Sequence, residues 1–328
     1  MAKNVSETIL NMTSTMSAIE TSNDQGYIQK ITYGILQTCQ ILSFIAYFIV
    51  GYYFLSSPKD LKKTLSFHAI FIILLVNFIQ LSYDLSEALQ YLQAGIVKPS
   101  TYANCIIWTF IDSITYYTSL ILMTWAAFER HLLIFYPNLF NTQRRRICFH
   151  YLPMVIICLY TLSYYFAVDF LYPCVNAFDF SLFICGFVCY MNLPTPNLYS
   201  VELIFHQVVP TILIGFFSIA LVVRVILARQ RLHQSVEWHR YRKMIKQLFS
   251  LSSVYLIFST PFSLNPIAQA VGLPMPFSYI FYANVLTYWT YGIAITFPFI
   301  IFFSLPNISK KLKLLCTIRD PQPIQAQA

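Results

Sequence analysis

Three groups of side chains in this sequence stand out from their surroundings and could do chemistry. Asp112 lies inside the apolar run 105–135. A carboxylate there must face the protein interior, because turning it to hydrocarbon is expensive, and it suits the anchoring of a cation. Glu129-Arg130-His131 closes the same run. Paired with its glutamate, Arg130 is neutralised and held; released, it offers a planar cation with five donors to a partner's carbonyls. Cys105, Cys174, Cys185 and Cys189 form the third group. Four thiols allow three pairings, and spacing alone leaves all three open.

Aromatic side chains accompany the first group. Trp108, Tyr116, Phe205, Phe262 and Tyr288 fall at one end of their apolar runs and fit the mixed lining of a ligand pocket. A cation held between a carboxylate and aromatic faces is a sound arrangement. Glu202 could be a second anionic point opposite Asp112, whereas Asp84 and Glu87 read as solvated ends of a span.

These residues must be positioned by membrane-spanning helices. Of the 328 residues, 57% are hydrophobic and 10% charged, and mean hydropathy is +0.60. A soluble globule carries about 25% charge, and this chain has too little to cover a water-facing surface. The composition also excludes a disordered chain and a disulfide-stapled mini-domain. A span needs roughly 20 apolar residues. Stretches of that kind fall near 30–55, 65–92, 102–135, 147–170, 199–228, 243–269 and 277–303. The expected fold is therefore an all-α membrane protein, a seven-transmembrane helix bundle at 30–303. An N-terminal tail at 1–29 precedes it, and a segment at 304–328 follows. Prolines interrupt several spans, as at Pro261 and Pro298. Such breaks are tolerated where neighbouring helices satisfy the freed carbonyls.

Charge placement orients the bundle. All but Lys3, Lys30 and Lys98 of the 21 Lys and Arg fall on one side of a seven-span chain. Positive loops stay in the cytoplasm, which puts the N-terminus outside and the C-terminus inside and disfavours nucleic acid as the target of the +8 net charge. The sequons at Asn4 and Asn11 then lie outside as candidate glycosylation sites. Ile308, Leu312 and Leu315 share a helical face opposite Lys310, Lys311 and Lys313. This reads as a short amphipathic helix on the anionic inner leaflet, with Cys316 a candidate for lipidation.

The third span carries a resemblance. Cys105 precedes Arg130 by twenty-five residues, and Phe128-Glu129-Arg130-His131-Leu132-Leu133-Ile134-Phe135-Tyr136-Pro137 resembles the inner-end signature of rhodopsin-like (family A) G-protein-coupled receptors, with Glu for Asp and His for Tyr. The resemblance implies a plasma-membrane receptor that answers an extracellular ligand by swinging its sixth helix outward for a heterotrimeric G protein. Glu129, Arg130, His131 and Pro137 would then meet the C-terminal helix of Gα. It also implies a bond from Cys105 to the loop before the fifth span, to Cys189 by preference or to Cys185, with the second bridge at Cys174. Asp112 resembles the anchor of amine receptors and Tyr291 the tyrosine that closes over it, so the ligand would be a small amine or a basic or amidated peptide. Tyr255-Leu256-Ile257-Phe258-Ser259-Thr260-Pro261 resembles the sixth-span switch, with Ser259 replacing its Trp, and Pro298 is what remains of the seventh-span motif. Asn77 stands where the family usually has the Asp of a sodium pocket, so weak or no sodium modulation is expected.

Other classes fit less well. A retinal-binding receptor needs a Lys between 277 and 303, and none is there. A seven-span transporter or channel, the alternative, would place several facing charges through the midplane, and only Asp112 reads as deep. Neither His-Glu-x-x-His nor Gly-x-Ser-x-Gly occurs; no enzyme activity, metal or cofactor is expected.

Overall fold

A computed structural model describes residues 2–56, 65–193, 198–231, 238–278 and 281–304. The helix α1 is Ala2–Ser56. The second, α2, joins Ser66–Ile79, a π turn at Gln80–Asp84 and Leu85–Ala94. The third, α3, is Tyr102–Phe135. Gln143–Leu171 forms α4, with π turns at Ile147–Tyr151 and Ala167–Leu171. In α5, Leu198–Glu202 and Val209–Arg231 flank a π turn at Leu203–Val208. Trp238–Val271 is α6. The last, α7, joins Tyr282–Leu286, Thr287–Trp289 and Gly292–Ser304.

All seven expected spans are helical, and no strand occurs among the described residues. Six of the helices are apolar and long enough to cross a membrane. The seventh, α6, has 34 residues; Ser250, Ser252, Ser253, Ser259 and Ser263 dilute its apolar stretch. It packs between α5 and α7, while α3 runs through the centre against α2, α4 and α5. One boundary differs from the sequence reading. α1 continues through the polar tail to Ala2, and no proline stands before Pro58 to stop it. The amphipathic segment, Cys316 and the side chains of Asn4 and Asn11 lie outside the described residues.

The proline breaks are repaired by neighbouring helices. Pro298 cannot donate to the carbonyl four residues back; that oxygen, on Ala294, accepts from the Tyr47 hydroxyl of α1 at 2.8 Å. Ser43 donates to the next carbonyl, Ile295, at 2.9 Å. Pro261 likewise frees Ile257, whose oxygen accepts from Trp289 Nε1 at 3.1 Å. The π turns do related work. The extra residue in each wide turn rotates a polar side chain inward. Asp84, His150, Asp169 and Gln207, each in such a turn, are all buried.

Candidate functional site

The loop between α4 and α5 folds over one end of the bundle and is bonded Cys105–Cys185 and Cys174–Cys189. This corrects the preferred expectation of Cys105–Cys189 in favour of its alternative. The cause lies in the loop backbone. Ile184 and Cys185 adopt left-handed φ values of 49° and 54°, a conformation that non-glycine residues rarely hold. The resulting tight turn sets Cys185 on the first turn of α3. Cys189 is drawn the other way, its N–H donating to Asn176 Oδ1 at 2.8 Å. In the same loop the Ser181 hydroxyl and N–H hold the exposed Asp179 carboxyl below its ordinary range.

Beneath the loop is a cavity of about 130 Å³. Asp112, Tyr116, Phe262 and Tyr291 line it, so four of the eight residues read from the sequence as ligand contacts do converge. Phe183, Ile184, Phe187 and Met191 of the loop roof it, and Tyr199 and Tyr282 add hydroxyls. None of these six was marked by the sequence: the four loop residues lie in a segment with no periodicity to show which turn inward, and the two tyrosines are among 24 in the chain.

The other four, Trp108, Glu202, Tyr288 and Phe205, are not among the lining residues. Trp108 is fully buried and donates from Nε1 to Asp84 Oδ1 at 2.8 Å. Tyr291 turns its hydroxyl to the same oxygen at 2.9 Å. Asp84 is therefore not solvated but 0% exposed, and its carboxyl lies near that of Asp112. Glu202 is also buried, accepting from Tyr165 at 3.2 Å and Tyr190 at 2.9 Å, with His206 behind Tyr165. Tyr288 packs on Phe183, ring centres 5.0 Å apart, and Phe205 points outward, largely exposed. With Asp84, Asp169 and Glu202 all buried, the reading that only Asp112 sits deep is overturned.

At the opposite end of α3 the expected latch is absent. Arg130 is 1% exposed and its Nη1 has no partner. Glu129 instead pairs with His150 Nδ1 of α4, the one ion pair among the described residues. His150 Nε2 in turn meets His68 Nδ1 of α2 at 3.0 Å. His131 Nε2 bonds the Phe217 carbonyl of α5 at 2.8 Å. Pro137 is exposed and opens a tight turn, Pro137–Phe140. The sequence hid the pairing because His150 looked like one more residue of an apolar span, eighty-two positions from its second partner.

Residues 86–278 match the family model of the 7 transmembrane receptor (rhodopsin family). That is more than half of the chain. The protein belongs to this family. No curated protein matches it at the level searched. The family match, rather than the number of deep charges, decides against a transporter or channel.

The residues that resembled a switch in the sequence are closely packed. Ser119 donates to Asn77 Oδ1 at 2.7 Å, Asn77 Nδ2 donates to the Tyr255 hydroxyl at 3.4 Å, and that hydroxyl closes the triangle on Ser119. Three neutral groups satisfy one another, and the Phe297 ring lies against Tyr255. Phe258 packs at a tilt on Trp289, ring centres 5.0 Å apart, and fills the space beside Gly292 so tightly that a Cβ there would collide with its Cε1.

Proposed function

We propose that this receptor binds a small cationic amine in the cavity beneath the loop and activates a heterotrimeric G protein at the Arg130 end. The loop face is extracellular and the basic face cytoplasmic, in a plasma-membrane protein with its N-terminus outside. The observation that carries the ligand reading is Asp112 in an aromatic-lined cavity, with a second carboxyl nearby and no Lys or Arg among the lining residues. A cation enters such a place favourably, because hydroxyls and ring faces solvate it while the carboxylates neutralise it. The size of the cavity favours the smaller of the two ligand classes. Drug-sized ligands occupy roughly 300–1,000 Å³, and about 130 Å³ suits a small amine better than a buried peptide.

Coupling is supported at the other end by two donors without acceptors. Arg130 Nη1 on α3 and Gln247 Nε2 on α6 are both buried and unpartnered. A helix C-terminus inserted there supplies free carbonyls, as Gα does in this family. A ligand that prefers the open arrangement shifts the population by its differential affinity.

The test is a cell-based screen of small amines and amidated basic peptides, read by Gα dissociation. An amine should elicit a response that Asp112→Asn abolishes while surface expression holds. An unchanged response in that variant would move the site to the rim, where a peptide binds. Arg130→Ala should remove coupling to any agonist; retained coupling would refute the role given to Arg130.

A further inference from the structure

Glu129 and Arg130 are neighbours in the chain, yet the glutamate is bonded away from the arginine. His150 Nδ1 faces Glu129 Oε1 directly. A carboxylate only accepts, so that nitrogen carries the proton whichever form the ring takes. The other nitrogen is fixed by His68 at 3.0 Å. The His68 and His150 rings lie 5.2 Å apart, and Tyr151 packs on both. An imidazole bonded at both nitrogens and wedged on both sides has its direction set. Glu129 is thus tied to α4 and through it to α2, while its Oε2 and Arg130 Nη1 stay unpartnered.

We infer that His150, backed by His68, is a positioning residue that holds Glu129 off Arg130 and so keeps the guanidinium available to a G protein. This rests on the coupling role proposed for Arg130. Both groups are buried, and an unpaired buried charge is costly enough that removing the imidazole frees Glu129 to recapture Arg130. The receptor would then be quenched rather than released.

Two measurements on the full-length receptor in nanodiscs test this. The first is ligand-free GDP release from a panel of heterotrimers. His150→Phe should slow release, on the order of tenfold for a coupling of this kind, and adding Glu129→Gln should restore it, since no charge remains to capture Arg130. His150→Gln, which keeps a donor toward Glu129, should stay near the parent rate, and His68→Ala should fall between. A rate unaffected by His150→Phe, or a loss that Glu129→Gln does not rescue, would overturn the inference. The second is a double-mutant cycle on melting temperature, which needs no G protein. The coupling between Glu129→Gln and Arg130→Ala should be clearly larger in the His150→Phe background than in the parent. Equal coupling in both backgrounds would also overturn it. Should the parent itself release no GDP from any heterotrimer, the coupling proposal fails, and the cycle alone decides where Glu129 binds. If His150→Phe does not fold, His68→Ala and His150→Gln carry both measurements.

Discussion

Asp84 shows how much one buried oxygen can hold. Its Oδ1 accepts from Trp108 and Tyr291, joining α2, α3 and α7 at a single atom. Asp84→Ala would leave two buried donors unpaired, at about 1–3 kcal/mol each. The expected result is a clear fall in melting temperature, with a smaller one for Asp84→Asn, whose amide oxygen still accepts. A melt in nanodiscs checks both. Gly292 is a second such point. Gly292→Ala forces the added methyl against the Phe258 ring, an overpacking of about 1–3 kcal/mol; pairing it with Phe258→Leu should recover most of the loss. The sequence made Asp112, Tyr116, Phe262 and Tyr291 legible because an acid in an apolar run must turn inward and aromatics collect near it. It misplaced Asp84 because closeness to a span's end says nothing of which way a side chain turns.

Some of the bonds between helices use atoms that prolines leave over. Pro261 and Pro298 were visible in the sequence, and so was the need to satisfy the carbonyls they free. Their partners, Trp289 and Tyr47, were not, since each lies on a different face or helix. Tyr47→Phe should lower stability by about 0.6–1.7 kcal/mol, the span measured for hydrogen bonds between membrane helices, and Tyr47→Leu by more, through lost packing as well. Thermal melts of the two variants separate the hydroxyl from the ring. The π turns were equally hidden. One inserted residue leaves span length and hydropathy unchanged yet redirects everything beyond it, which is why Asp84 was read as solvated and the inward turns of Asp169 and His150 left no sign. The Asn77–Ser119–Tyr255 triangle carries a separate expectation. With no carboxylate in it, sodium should leave the melting temperature where potassium at equal ionic strength does; a sodium-specific rise would contradict this.

Across the whole molecule, seven spans and a one-sided charge distribution were readable from composition alone, because a bilayer permits few other arrangements. The covalent map was not. Four cysteines in one region are compatible with any pairing until the turn at Ile184 and Cys185 is known. Digestion without reduction, followed by mass mapping, should recover Cys105 joined to Cys185 and Cys174 joined to Cys189. Replacing both Cys174 and Cys189 by Ser frees a loop closed over 15 residues. The bundle should stay folded while any agonist binds less tightly, because ordering the roof must then be done at the moment of binding.

The receptor also carries its own gauge of that region. Among the tryptophans whose side chains are described, Trp108 is the one sealed from solvent and fastened to a carboxylate. Its fluorescence should resist acrylamide and change when occupancy of the adjoining chamber disturbs Asp84. With Trp125, Trp238 and Trp289 replaced by Phe, a lone indole would report ligand arrival optically, before any messenger downstream has been identified.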